Sequence, residues 1–164
     1  MKNRLLAIAI IAFLSTNVNA QVDSKPTTLS IGVNVGIPTS PSPTVYSIAF
    51  GADLQADFAV APTTKITASA GYENYSIKSK YGSGSTGIIP VLGGVKFNFG
   101  EKAYGHAQLG YGFGTEKGDK GSFAYAPSIG YYFSPNFDAS LKYLAFSKNS
   151  STLSSINLRL AYNF

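Results

Sequence analysis

From residue 28 onward the chain alternates apolar and polar positions with a period of two, the signature of strands with two unlike faces. Eight such segments are predicted: 28–37, 45–58, 65–73, 88–99, 103–113, 123–133, 137–146 and 154–164. Each is long enough to cross a bilayer at a tilt, which takes about 9–11 residues, and longer than the globular mean of about 5–6. One parity is apolar apart from Ser154 at the start of strand eight. Strand one gives Leu29, Ile31, Val33, Val35 and Ile37, and strand eight gives Ile156, Leu158, Leu160, Tyr162 and Phe164. The opposite parity carries Asp53, Asp57, Lys65, Glu73, Lys96, Asp138, Lys142 and Arg159, together with His106.

Side-chain volume decides which parity points inward. The apolar parity holds most of the Phe and Tyr residues, including Tyr46 at the start of strand two and Tyr143 with Ala145 in strand seven. The polar parity is mostly small, with Gly32, Gly36, Ser47, Ala49, Gly51, Gly71, Gly110, Ala126 and Gly130 among its members. The lumen of an eight-stranded barrel is just wide enough for side chains. The small polar set fits inside it and the rings do not. The competing arrangement, a soluble lipocalin-type barrel with an apolar interior, would expose the polar parity instead. The apolar parity also varies with depth. Phe58, Phe97, Phe99, Phe133, Phe137, Tyr162 and Phe164 gather at one end of the strands, and Tyr46, Tyr72, Tyr111, Phe113, Phe123, Tyr125 and Tyr143 at the other. Two aromatic girdles around an aliphatic band mark a transmembrane β-barrel. The fold class expected is therefore all-β: an eight-stranded antiparallel up-and-down transmembrane β-barrel.

The connections alternate in length. Tight turns are expected at 61–64, 100–102 and 134–136, and longer polar loops at 38–44, 74–87, 114–122 and 147–153. Outer-membrane barrels keep short turns in the periplasm and long loops outside, which places both mature termini in the periplasm. Lys78, Lys80, Lys117, Lys120 and Lys148 then outnumber Glu116 and Asp119 on the outer rim. Such a rim suits the phosphates of lipopolysaccharide; ordinary solvated loops are the plainer reading.

Composition narrows the classes further. Charged residues make up 13% of the 164 and there is no Cys, so disulfides, Cys-ligated zinc and iron–sulfur clusters are excluded. The formal net charge of +5 shrinks once Lys2 and Arg4 are set aside, and gives no case for nucleic acid. Those two residues precede the apolar run Leu5–Leu14, which is too short to span a bilayer as a helix. With Val18 and Ala20 at the small-residue positions, residues 1–20 read as a secretory signal peptide and 21–164 as one barrel domain. An N-terminal anchor helix is the alternative.

Three segments carry a family likeness: INLRLAYNF ending on Phe164, the Gly-rich YGHAQLGYGFG, and SIGYYFSPNFDASLKY across a tight turn. With them the chain resembles the small outer-membrane β-barrel family of Gram-negative bacteria, the OmpA/OmpX-type barrel domain, over residues 21–164. The resemblance implies an outer-membrane location and contact with outer-membrane lipids. It also implies that Leu158, Leu160, Tyr162 and Phe164 form the signal read by the barrel-assembly machinery. Pro90 and Pro127 depart from an ideal barrel, because each removes a ladder N–H.

No motif points to chemistry. Gly82–Gly87 matches G-x-G-x-x-G, but a strand follows where a dinucleotide site needs a helix. His106 is the sole His, and its parity places it in the lumen, away from acyl chains. No catalytic, metal or cofactor residue is assigned. The interior charges are expected to pair, since an unpaired buried charge costs several kcal/mol. Candidate pairs are Glu73 or Asp53 with Lys96 and Arg159, and Asp138 with Lys142. The function expected is that of a monomeric, non-enzymatic envelope barrel with a plugged polar interior. A narrow channel for small solutes, lateral passage of apolar solutes past Ile88, Pro90 and Leu92, and a lipid-modifying enzyme remain as alternatives. Leu158→Arg, at mid-bilayer, is predicted to cost about 2–4 kcal/mol and to block assembly. Electrophoresis with and without boiling checks this, since a folded barrel changes mobility on heating; normal assembly would contradict the facing assignment.

Overall fold

The computed structural model describes residues 27–40, 45–81, 84–116, 119 and 121–164; the expected leader lies outside them. Eight strands follow in order: β1 (Thr27–Ser40), β2 (Tyr46–Ala61), β3 (Thr64–Ile77), β4 (Ser85–Phe99), β5 (Ala103–Gly114), β6 (Ser122–Ser134), β7 (Phe137–Lys148) and β8 (Ser151–Asn163). Each strand pairs antiparallel with the next, and β8 pairs with β1 to close the barrel. Closure matters because hydrocarbon offers no partner for a free strand edge.

The two parities face as the volume argument requires. Leu54 is 64% exposed, Ile129 66% and Leu158 48%, whereas Arg159 is 3% exposed and Lys96 2%. Rings at the turn end pack edge to face along the outer wall: the Phe137 ring centroid lies 5.1 Å from that of Tyr162, which lies 5.1 Å from that of Phe164. In water this surface would aggregate. It is the surface a bilayer requires.

Local departures from the alternation have identifiable causes. The β2–β3 register shifts between Tyr46 and Ile48, so Ser47 is extra and turns outward. Tyr46, expected on the outer girdle, consequently packs inward at 6.0 Å from Tyr75. Ala145 and Ser154 keep the outward parity, facing each other across the ladder, but are fully buried. They are too short to emerge past their neighbours, and Ser154 Oγ is held 2.8 Å from Thr39 Oγ1. At each proline the ladder on the side away from β5 breaks and resumes in the same register, while the pairing with β5 runs on. The β3–β4 pairs jump from Ala70↔Val91 to Glu73↔Ile88, and the β6–β7 pairs from Tyr125↔Ala145 to Ser128↔Lys142.

Two connections differ from the sequence reading. Half of the 74–87 loop is strand, since β3 runs on to Ile77 and β4 begins at Ser85. The 147–153 loop is a two-residue hairpin instead. Asn149 and Ser150 both have positive φ, 48° and 63°, the geometry of a type I′ turn, whose twist matches the flanking strands. Asn tolerates that region; Ser does so at a cost of about 1–2 kcal/mol.

The interior is not polar throughout. At the loop end Ala49, Tyr75, Ile88, Leu92, Ala124, Ala126, Leu144 and Phe146 form a buried apolar cluster, flanked by Tyr46 and Leu153. Tyr75 was hidden in the expected loop, and Leu144 sits on the parity read as polar. The ionisable residues fill the remaining length of the lumen. Ser150→Gly is expected to raise stability by about 1 kcal/mol, because glycine adopts positive φ without penalty. Urea unfolding in lipid vesicles measures it, and an unchanged or lower midpoint would count against the turn assignment.

Candidate functional site

The strongest concentration of polar chemistry lies inside the barrel, on elements the closed sheet holds rigid. Asp53 on β2 is its hub. Arg159 on β8 approaches Asp53 in a fork, with Nε 2.9 Å from Oδ2 and Nη2 2.6 Å from Oδ1. Lys142 on β7 reaches Asp53 Oδ2 at 3.5 Å. Asn34 on β1 donates to Asp53 Oδ2 at 3.2 Å and to Glu73 Oε1 at 2.9 Å. Arg159 Nη1 also lies 3.9 Å from Asp138 Oδ1. Asp138 accepts from Tyr104 Oη at 2.6 Å and from Asn163 Nδ2 at 2.9 Å. A second pair joins Lys96 to Asp57 at 2.6 Å. Gln55 donates to the other oxygen of Asp57 at 2.7 Å, and the Lys96 ammonium lies 4.7 Å from the Tyr104 ring centroid.

Strand-skipping explains this pattern. Arg159 on β8 reaches Asp53 on β2 across β1, and Gly32 stands in β1 opposite Asp53. A Cβ at Gly32 would lie 2.6 Å from the guanidinium carbon. Glu73 on β3 reaches Asn34 on β1 across Gly51 of β2, where a Cβ would lie 2.6 Å from Glu73 Oε2. Tyr104 on β5 reaches Asp138 on β7 over Gly130 of β6, which its ring covers. Each inward glycine leaves the floor on which a long side chain lies flat.

The pairing therefore differs from the candidate set in three places. Lys96 takes Asp57, neither Asp53 nor Glu73. Lys142 takes Asp53 rather than Asp138. Glu73 makes no ion pair at contact distance among the described residues, although it is only 2% exposed. Lys65 is half-buried near the turn end and also makes no contact ion pair among them. His106 is buried, with Nε2 2.8 Å from Thr67 Oγ1. Leu158, Leu160, Tyr162 and Phe164 stand exposed on the outer wall, and the Phe164 N–H bonds to the Leu29 carbonyl at 2.9 Å. Asn34, Gln55, Tyr104 and Asn163 were not singled out from sequence. The inward glycines one strand away were the available signal for Asn34 and Tyr104.

At the rim Lys148 binds Asp119 at 2.5 Å. That hydrogen bond, with a second from the Gly121 N–H, holds the Asp119 carboxyl below the usual carboxylate range. Lys78 and Lys80 are exposed on the same rim. Lys117 and Lys120 lie outside the described residues.

No protein-family model matches the chain, and no curated protein matches its sequence. Solved structures do match. Ail, the attachment invasion locus protein of Yersinia pestis, is 18% identical over 84% of this chain and 97% of its own, with a TM-score of 0.61. A de novo designed transmembrane β-barrel is 21% identical over 87% of this chain and 100% of its own, at 0.57. Neisserial surface protein A is 11% identical over 85% and 98%, at 0.51. At such identities the likeness is one of architecture: this chain has the closed eight-stranded antiparallel fold of those barrels.

Proposed function

We propose that the chain is a non-enzymatic outer-membrane barrel of the OmpA/OmpX type, closed along its axis, that serves the envelope through its wall and its loop end. The observation that carries this reading is the obstructed lumen. Side chains from β1, β2, β3, β7 and β8 meet around Asp53 and Glu73, and the apolar cluster around Tyr75 and Phe146 lies beyond them toward the loops. A hydrated ion moving along the axis meets fixed ion pairs and then an apolar layer.

Location in the outer membrane, with both mature termini periplasmic, is supported by the exposed apolar wall and by the turns Pro62–Thr63 and Pro135–Asn136 at the end where β8 finishes. Ail, with which the fold is shared, is itself an outer membrane protein. The partners proposed are outer-membrane lipids, lipopolysaccharide phosphates at the lysine-bearing rim, and the barrel-assembly machinery during biogenesis. The barrel works as a monomer, since its wall suits lipid all the way round. The non-enzymatic reading rests on His106, which is hydrogen-bonded to Thr67 inside the lumen where acyl chains do not reach.

Planar-bilayer recording of the purified barrel tests the closed axis. No discrete openings are expected; regular single-channel steps would replace this reading with that of a narrow solute channel. The same preparation tests the hub. Asp53→Ala leaves Lys142 without a contact carboxylate among the described residues and Arg159 with only its 3.9 Å contact to Asp138, and is expected to cost about 3–5 kcal/mol in unfolding free energy. A loss no greater than that of an exposed loop substitution would show that the network does not hold the lumen.

A further inference from the structure

Two chains of hydrogen bonds and ion pairs run through the lumen and stop short of each other. One passes from Asn163 through Asp138, Arg159, Asp53 and Asn34 to Glu73. The other passes from Asn157 to Ser155 and on to Tyr75, at 2.8 and 2.9 Å. Where the two chains face each other, three side-chain oxygens have no hydrogen-bond partner among the described residues: Asn34 Oδ1, Glu73 Oε2 and Asn157 Oδ1. Their residues are 4%, 2% and 0% exposed. Leaving such groups bare costs about 1–3 kcal/mol apiece.

The register brings these ends to one patch of wall. Glu73 Oε2 lies over Gly51, which pairs with Asn34. Asn157 Oδ1 lies over Gly36, two positions along the same inner face of β1 from Asn34. All three open atoms are acceptors, so whatever joins them must be electropositive. Charge makes the same demand. The connected network holds three carboxylates, Asp53, Glu73 and Asp138, against two cations, Arg159 and Lys142. Lys96 is committed to Asp57 at 2.6 Å. Lys65, the remaining lumen cation, lies at the turn end across the ladder from Lys96, so positive charge is short locally, at Glu73, which makes no contact ion pair among the described residues.

We propose that Glu73 Oε2, Asn34 Oδ1 and Asn157 Oδ1 form a buried site for one monovalent metal cation of the sodium or potassium class. Hard oxygen donors suit such an ion, and water completes its shell. The bound ion balances Glu73 and ties the polar network to the Asn157–Ser155–Tyr75 chain beneath the apolar cap. This goes beyond the closed-axis reading: a seated ion that does not move along the lumen carries no current.

Two measurements on the folded full barrel test the site. Crystals soaked in rubidium chloride are expected to show an anomalous peak among the three oxygens, absent in Glu73→Gln. The thermal unfolding temperature in zwitterionic phospholipid vesicles is expected to rise saturably with sodium or potassium over N-methylglucamine at equal ionic strength. That saturable rise is lost in Glu73→Gln and reduced in Asn157→Ala, which serves alone if Glu73→Gln does not fold. A water without anomalous signal at the site, together with stability indifferent to cation identity, overturns the proposal. So does a stability that follows pH alone, which would assign the missing charge to a proton on Glu73.

Discussion

Backbone hydrogen bonding in a medium that supplies no partners is the constraint from which the rest follows. A strand in hydrocarbon must bond to a strand on each side, so the sheet has to close. Here the final bond of closure is made by the last residue, whose N–H meets the Leu29 carbonyl at 2.9 Å. Closure with eight strands fixes a narrow lumen, which holds a few rings, Tyr75, Tyr104 and Phe146 among them, and has no room for the rest. Most rings therefore stand on the lipid side, where aromatic girdles belong near the headgroups. The prolines show how strict the constraint is. At Pro90 and Pro127 the ladder opens only locally and the register on either side is unchanged.

Inside, the same narrowness shapes the polar chemistry. At three places a long inward side chain lies flat across a neighbouring strand, and that strand carries a glycine there. Gly32, Gly51 and Gly130 each lie beneath a side chain that spans to a partner two strands away. This arrangement gives Asp53 its fork with Arg159 and lets Tyr104 reach Asp138. A buried ion pair is a weak source of net stability but is costly to break. The network is better understood as fixing which strands sit opposite one another, while the apolar cluster at the loop end excludes water.

The facing of the strands was legible because a period of two needs no knowledge of neighbours. Leu158 out and Arg159 in follow from adjacent positions alone. Features that depend on two strands at once were not legible. One extra residue, Ser47, reverses Tyr46, and only the β2–β3 register reveals the shift. The charge pairs depend on the stagger between strands, so Lys142 could be placed in the lumen but not assigned to Asp53. The apolar cap was hidden because Tyr75 sat in a stretch that looked like loop. Asn149–Ser150 lacks the glycine that usually announces a two-residue hairpin. The inward glycines were visible in the sequence as small residues, but their role as floors for Arg159, Glu73 and Tyr104 appears only with the register.

The central claim is that the apolar parity touches hydrocarbon while the other parity lines the lumen. The chain contains no Cys, so single cysteines can be placed one at a time along β8 at positions 156 to 161 and carry a nitroxide label. Collision with oxygen, which dissolves in lipid, and with a water-soluble nickel chelate can then be compared in bilayers. The account predicts strong oxygen collision at 156, 158 and 160 and little at 157, 159 and 161. Equal values at all six positions, or the opposite phase, would contradict it.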